Sequence, residues 1–168
     1  MNNTFVATTR FNSKTYEENE NYRTRMCPFG SIYGTPMKMK DKIPLESIVY
    51  VIEMNNSTNK IEGIGLVYNR PVLEKTHRIY ADMDYNRYIY RGKKRLSVIN
   101  ITDEYNKRVI FVLEQLLFKG GRHCKRAQGI TVLPDWIVHN RSGFDFTKCI
   151  SNMCNLYGKQ IKIVNDLK

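Results

Sequence analysis

No run in this chain approaches the roughly 18 consecutive apolar residues of a membrane-spanning helix, and Met1 to Arg10 shows no charged region followed by an apolar core. A soluble, intracellular protein without membrane contact is therefore expected. Cysteine is sparse and wrongly spaced for metal or redox chemistry: Cys27, Cys124, Cys149 and Cys154 include no Cys-x-x-Cys pair. That excludes a zinc ribbon and a thioredoxin-like motif and leaves free thiols. The histidines, His77, His123 and His139, are scattered, with no His-x-x-x-His pair and no nucleophile elbow. Nothing local nominates a catalytic constellation, so binding rather than catalysis is expected, with no cofactor. Acid is scarce too, 16 Asp and Glu against 27 Lys and Arg, for a formal charge of +11. Such a surplus points to a polyanionic partner, nucleic acid first. Repeats, low-complexity tracts and Pro/Ser-rich linkers are all missing, so the 168 residues read as one α+β domain. A domain of this length buries about two-thirds of its unfolded surface without staples.

What is present begins with a hairpin. Ser47-Ile-Val-Tyr-Val-Ile-Glu-Met54 and Lys60-Ile-Glu-Gly-Ile-Gly-Leu-Val-Tyr-Asn-Arg70 are β-branched runs flanking the polar turn Asn55 to Asn59. Gly63 and Gly65 lie inside the second strand, where glycine lets a ligand or another backbone approach closely. Phe5 to Phe11 alternates as an opening strand, and Thr15 with Glu18 suggests a capping box for a short polar helix over 16–23. A loop is expected over 27–44, punctuated by Gly30, Gly34 and Pro36, then strand over the aromatic stretch 77–90 and again over 96–100. Thr102 is a plausible N-cap for a helix over 103–119 that buries Tyr105, Val109, Val112, Leu113 and Leu116. A second helix over 145–157 buries Phe146, Cys149, Ile150, Met153, Cys154 and Tyr157, stops at Gly158, and precedes a strand at 160–164.

Two Gly-punctuated basic clusters are the candidate phosphate contacts: Arg87, Arg91, Lys93, Lys94 and Arg95 at a turn, and Lys119, Arg122, His123, Lys125 and Arg126 after a helix. Trp136 is the best single candidate for stacking on a base. Asp82 and Asp84, two apart on an expected strand, could hold a metal, although a solvated pair balancing nearby arginines is the favoured reading, and no metal is expected.

The order of these segments resembles the YTH/EVE branch of the PUA-like superfamily. Phe5-Val-Ala-Thr-Thr-Arg-Phe-Asn12 is similar to the family's opening strand and turn into a helix, and the hairpin with Ile61-Glu-Gly-Ile-Gly-Leu-Val67 to its central hairpin. Tyr90-Arg-Gly-Lys-Lys-Arg-Leu-Ser-Val-Ile-Asn-Ile101 and Gln128-Gly-Ile130 resemble later segments, so the likeness spans about 4–133, with 134–168 as a helix-and-strand extension. The resemblance implies a small β-barrel flanked by helices that binds RNA or modified bases. YTH domains cage methylated adenine with tryptophans, whereas Cys27-Pro-Phe-Gly30 occupies one such region here, so Phe29, Tyr33 and Tyr68 are the implied substitute rings. The Asn/Lys/Ile/Tyr-rich composition also resembles proteins of nucleocytoplasmic large DNA viruses, giant viruses in particular, which implies the host cytoplasm, a viral factory or the virion. The expected function is non-enzymatic binding of RNA, favoured over DNA, or of a modified nucleotide, through an aromatic pocket beside basic loops. The alternative is a viral structural or assembly protein with a basic, genome-contacting surface. The sequence leaves the oligomeric state open.

Overall fold

The computed structural model describes residues 3–74 and 76–166, with side chains up to Lys159. Seven strands are β1 (Thr4–Phe11), β2 (Ser31–Thr35), β3 (Ile48–Asn55), β4 (Lys60–Tyr68), β5 (Tyr88–Gly92), β6 (Lys94–Ser97) and β7 (Thr131–Val132). Four helices are α1 (Ser13–Met26), α2 (Glu104–Phe118), α3 (Asp135–Val138) and α4 (Phe146–Asp166). Five strands form one sheet in the order β6-β4-β3-β1-β7, with β1 parallel to β3 and the other pairs antiparallel, while β2 and β5 pair as a separate ribbon. No closed barrel forms among the described residues. The chain passes from ribbon to sheet through Lys93 alone, and the ribbon lies on the sheet instead of joining its ladder.

Period-two alternation divides the core into two clusters, one on each face of the sheet. Val6, Tyr50, Ile52, Met54, Ile64 and Leu96 pack against Leu113 and Leu117 of α2 and Ile150 and Met153 of α4. Ala7, Val49, Val51 and Val67 pack against Ile32, Tyr33, Ile89 and Tyr90 of the ribbon. β3 is covered on both faces and reads as an almost unbroken apolar run. Glu62 is an extra residue between the pairs Glu53↔Gly63 and Met54↔Ile61, a bulge that sets Ile61 and Ile64 on the same face.

On the ribbon face the sheet carries a charge. Glu53 is 1 % exposed, and its carboxylate accepts from Arg95 Nε at 2.8 Å, Arg95 Nη2 at 2.6 Å and Tyr33 Oη at 2.7 Å. Arg95 starts on β6 opposite Gly65 and reaches across β4 to Glu53, which faces Gly63. A methyl on Gly63 would lie 2.6 Å from Arg95 Nη2, and one on Gly65 would lie 2.1 Å from the Tyr33 hydroxyl. The two glycines are a lane for these side chains. Burial alone would lower the Arg95 pKa, but the charge and hydrogen bonds of Glu53 outweigh it and the net shift is upward. Burial, then Glu53, raises Tyr33 well above a normal phenol.

Several expectations need correction. α1 is longer than 16–23 because Asn12 is its cap: Asn12 Oδ1 accepts from Thr15 N at 2.8 Å, and Thr15 Oγ1 accepts from Asn12 N at 3.0 Å. The expected loop at 27–44 contains β2, whose Gly34 is not a turn residue but a site of close packing under the Tyr85 carbonyl. The aromatic stretch is irregular around a 3₁₀ turn at Met83–Asn86 and becomes strand only at β5. β6 ends at Ser97, and a second 3₁₀ turn takes Val98–Asn100. Asp103, not Thr102, caps α2, and Tyr157 Oη ties that cap to α4 by accepting from Asp103 N at 3.1 Å. The buried α2 face is Asn106, Val109, Ile110, Leu113, Glu114, Leu117 and Phe118, so Tyr105 and Val112 point outward. α4 runs through Gly158 to Asp166, so 160–164 is helix rather than strand. One helical glycine costs only about 1 kcal/mol, less than the adjoining turns return. No helix among the described residues is long and apolar enough to cross a membrane.

Glu53→Gln strands the Arg95 guanidinium and should destabilise the fold by about 3–5 kcal/mol in urea titration. The double variant Glu53→Leu, Arg95→Met should recover most of that loss. A double variant as unstable as the single one would show that the ion pair is not what Glu53 supplies.

Candidate nucleic-acid interface

Where β1 turns into α1, Arg10 is half-buried and clamps the loop between α2 and β7. Its Nη1 donates to Thr8 Oγ1 at 2.9 Å and Cys124 O at 3.1 Å, and its Nη2 to Gly129 O at 2.7 Å and Thr131 Oγ1 at 3.0 Å. Nε is buried with no partner. Desolvation pulls the Arg10 pKa down to about 10 despite an opposing effect of Cys124, so the group stays charged at neutral pH. A second clamp comes from the hairpin turn: Asn56 Nδ2 donates to Lys125 O at 2.9 Å, while its Oδ1 is buried with no partner.

Between these clamps and the 77–86 segment lies a pocket of about 200 Å³ lined by Thr9, Arg10, Asn12, Asn56, Tyr80 and Tyr85, among others. Asn86 shapes its far wall. The Asn86 side chain accepts from Ile79 N and Tyr80 N, each at 3.0 Å, and donates to Tyr80 O at 2.7 Å. Tyr80 is buried, takes a hydrogen bond from Asn19 Nδ2 at 3.1 Å, and meets Tyr85 edge-on with ring centroids 6.2 Å apart. Tyr85 is 41 % exposed and presents an aromatic surface at the rim. A ring beside unpaired donor and acceptor atoms suits a planar ligand with a hydrogen-bonding edge.

The basic loop hangs directly on this pocket. Lys119, Arg122 and Arg126 are exposed, and His123 and Lys125 are half-buried. His123 Nδ1 accepts from Lys125 N at 3.3 Å, and Cys124 N donates to Leu117 O at 2.7 Å, which fold the loop back against α2. Arg122 is committed to Trp136, its guanidinium 4.5 Å from the ring centroid. Trp136 on α3 is half-buried against the helical core, so one side of the indole is packed and Arg122 occupies the ring. It is not an open stacking platform.

The first basic cluster is divided. Arg95 is withdrawn by Glu53, its side chain only 7 % exposed, and Tyr33 is buried on the same carboxylate, so neither is available to a ligand. The close approach at Gly63 and Gly65 is made by those two side chains. Arg87 pairs with Asp84 at 3.2 Å, and Asp82 Oδ1 accepts from Asp84 N, so the two aspartates belong to a 3₁₀ turn rather than one strand face. Among the described residues no group of three His, Cys, Asp or Glu could hold a metal. Arg91, Lys93 and Lys94 are exposed, with Arg91 Nη2 donating to Met26 O at 3.3 Å beside the exposed ring of Phe29. Arg91 and Lys93 sit at the C-terminal end of α1, and the pocket at its N-terminal end, a span of roughly 20 Å for a helix of this length, while Lys94 lines a hollow with Cys154 and Asn155 of α4. Tyr68 is exposed at the end of β4 and lines neither place.

The cysteines are unpaired. Burial raises all four thiols, Cys154 to about 12, which makes them poor nucleophiles at neutral pH. No protein-family model, characterised protein or solved structure matches this chain.

Arg10, Asn56, Tyr80 and Tyr85 were not legible as a site, because they come from three separate segments and none carries a motif. Trp136→Ala should cost about 2–4 kcal/mol of stability, as for removal of a largely packed aromatic, read by thermal or urea unfolding. Unchanged stability with weakened RNA binding would return the indole to ligand contact.

Proposed function

We propose that the protein is a non-enzymatic RNA- or modified-nucleotide-binding module. The observation that carries this reading is the physical coupling of pocket and basic loop. Arg10 and Asn56 each line the pocket, each hold the loop backbone, and each keep one buried polar atom unpaired beside it. A base seated there would stack on Tyr85, meet the polar side chains of Thr9, Asn12 and Thr15 that line the pocket, and leave its phosphates near Lys119, Lys125 and Arg126. RNA is favoured over DNA because splayed single-stranded bases are the usual ligands of such pockets. In this reading the sheet and ribbon are a PUA-like, YTH/EVE-like scaffold that stops short of closing. The composition supports a giant-virus protein acting in the host cytoplasm or a viral factory.

Fluorescence anisotropy with single-stranded RNA at low salt tests the reading. Tyr85→Ala should weaken binding by about 1–3 kcal/mol with little change in salt slope. Replacing Lys119, Lys125 and Arg126 by Ala should weaken it across sequences and flatten the slope by about 0.7 per lost contact. The assembly alternative, a basic surface against packaged genome, is favoured instead if the triple variant behaves this way while Tyr85→Ala is silent. Absence of salt-dependent binding would sink both.

A further inference from the structure

Arg23, on the inner face of α1, is 8 % exposed, and its Nε and Nη2 have no hydrogen-bond partner. No carboxylate among the described residues lies within ion-pair distance of it. A guanidinium buried without a counter-charge costs several kcal/mol, so the position is built at a loss unless an anion completes it. One helical turn later Cys27 lines an open cleft of about 600 Å³, together with Phe29, Gly30, Arg91 and Lys93. Cys27 caps the helix by donating its N–H to Arg23 O at 2.8 Å, and the charges of both Arg91 and Arg23 act on the Cys27 thiol. A buried cation therefore stands behind the cleft wall and two exposed cations stand in front. None of the lining residues is acidic. Beside them Phe29 is 69 % exposed, an unpacked aromatic with no structural task visible in the core.

We propose that this cleft binds a phosphate group carried by a nucleotide, the phosphate held by Arg91 and Lys93, with the Arg23 charge behind the wall, and the base resting on Phe29. The site is separate from the Tyr85 pocket, at the opposite end of α1, and does not depend on it. Gly30 and Gly92 let the floor form: a methyl on Gly30 would lie 2.4 Å from the Gly92 carbonyl oxygen, and one on Gly92 would lie 1.7 Å from that of Leu66. Their amides are therefore rigid reporters within the cleft.

The amide NMR signals of Gly30 and Gly92 are followed while the protein is titrated with inorganic phosphate and, separately, with uridine monophosphate at low salt. Both probes should shift these signals saturably, the nucleotide at lower concentration. Arg23→Met, which removes a charge behind the wall and no direct contact, should weaken both by about threefold or less. Its melting temperature should hold or rise, since an unpaired buried charge is removed. The exposed pair of changes Arg91→Ala, Lys93→Ala should weaken both probes by about tenfold or more, the usual worth of a charged hydrogen bond, without touching the core. Phe29→Ala should weaken the nucleotide alone, which separates base contact from capture of free phosphate. Tyr85→Ala should leave this titration unchanged whatever it does to RNA binding. Silent Gly30 and Gly92 signals, or unchanged affinity in both cation variants, overturn the site. Equal affinity for the two probes overturns the part given to Phe29.

Discussion

The bidentate ion pair between Glu53 and Arg95 fixes how the layers of this protein meet. It spans β3, β4 and β6, accepts Tyr33 from the ribbon, and has the Tyr16 hydroxyl of α1 at 3.5 Å from Arg95 Nη2. A buried pair of this kind is close to break-even against a well-packed apolar replacement. What it supplies is register. A slip of one residue in β3 would carry Glu53 to the helix-covered face, among Ile52, Met54 and the leucines of α2, with no cation to meet it. The same pair accounts for the open architecture. The ribbon is docked on the sheet by the Tyr33 hydroxyl and by backbone approach at Gly92, neither of which is a ladder hydrogen bond, so the two sheets touch without closing into a barrel.

The surface charge is set by the sequence surplus, not by burial of acids, since the buried acids are matched by buried arginines. Glu53 is consumed by Arg95, and Glu114 turns inward to accept from Ile61 N at 3.0 Å with Lys60 Nζ at 3.7 Å. Among the described residues no carboxylate comes within ion-pair distance of Lys93, Lys94, Lys119, Lys125 or Arg126. Those five cations therefore carry part of the +11 surplus without a neutralising partner. Exposed pairs such as Arg70 with Glu46 and Lys107 with Glu104 add little stability and lie elsewhere.

Local patterns made the hairpin, α2 and α4 legible, since alternation, capping residues and helical spacing are all written within a dozen residues. Legibility failed where the cause was distant. Arg95 reads as one more cation in a basic run, and only its partner Glu53, forty-two positions away, removes it from the surface. Gly34 reads as a turn residue, yet it sits in β2 because the Tyr85 carbonyl would collide with a side chain there. In α2 the continuous apolar run Val109 to Leu113 admits two helix phases, and the sheet selects the one that turns Val112 outward. The pocket was least legible of all, because Arg10, Asn56, Tyr80 and Tyr85 converge from a strand end, a hairpin turn and an irregular segment.

The buried polar atoms left without partners fall in two places. There are four among the described residues: Arg10 Nε and Asn56 Oδ1, and Nε and Nη2 of Arg23. Each costs about 1–3 kcal/mol if nothing completes it. They are not scattered through the fold, as packing accidents would be. Two border the pocket at the N-terminal end of α1, and two stand one helical turn behind the cleft at its C-terminal end, while the long hydrogen-bonded interior between them is satisfied through Asn19, Asn86 and Glu53. A fold that resolves so many buried polar groups carries these four as a local cost close to two surface hollows. One hollow presents a tyrosine ring among polar side chains, the other a phenylalanine beside two exposed cations, and a planar base with a phosphate attached is the ligand proposed for each.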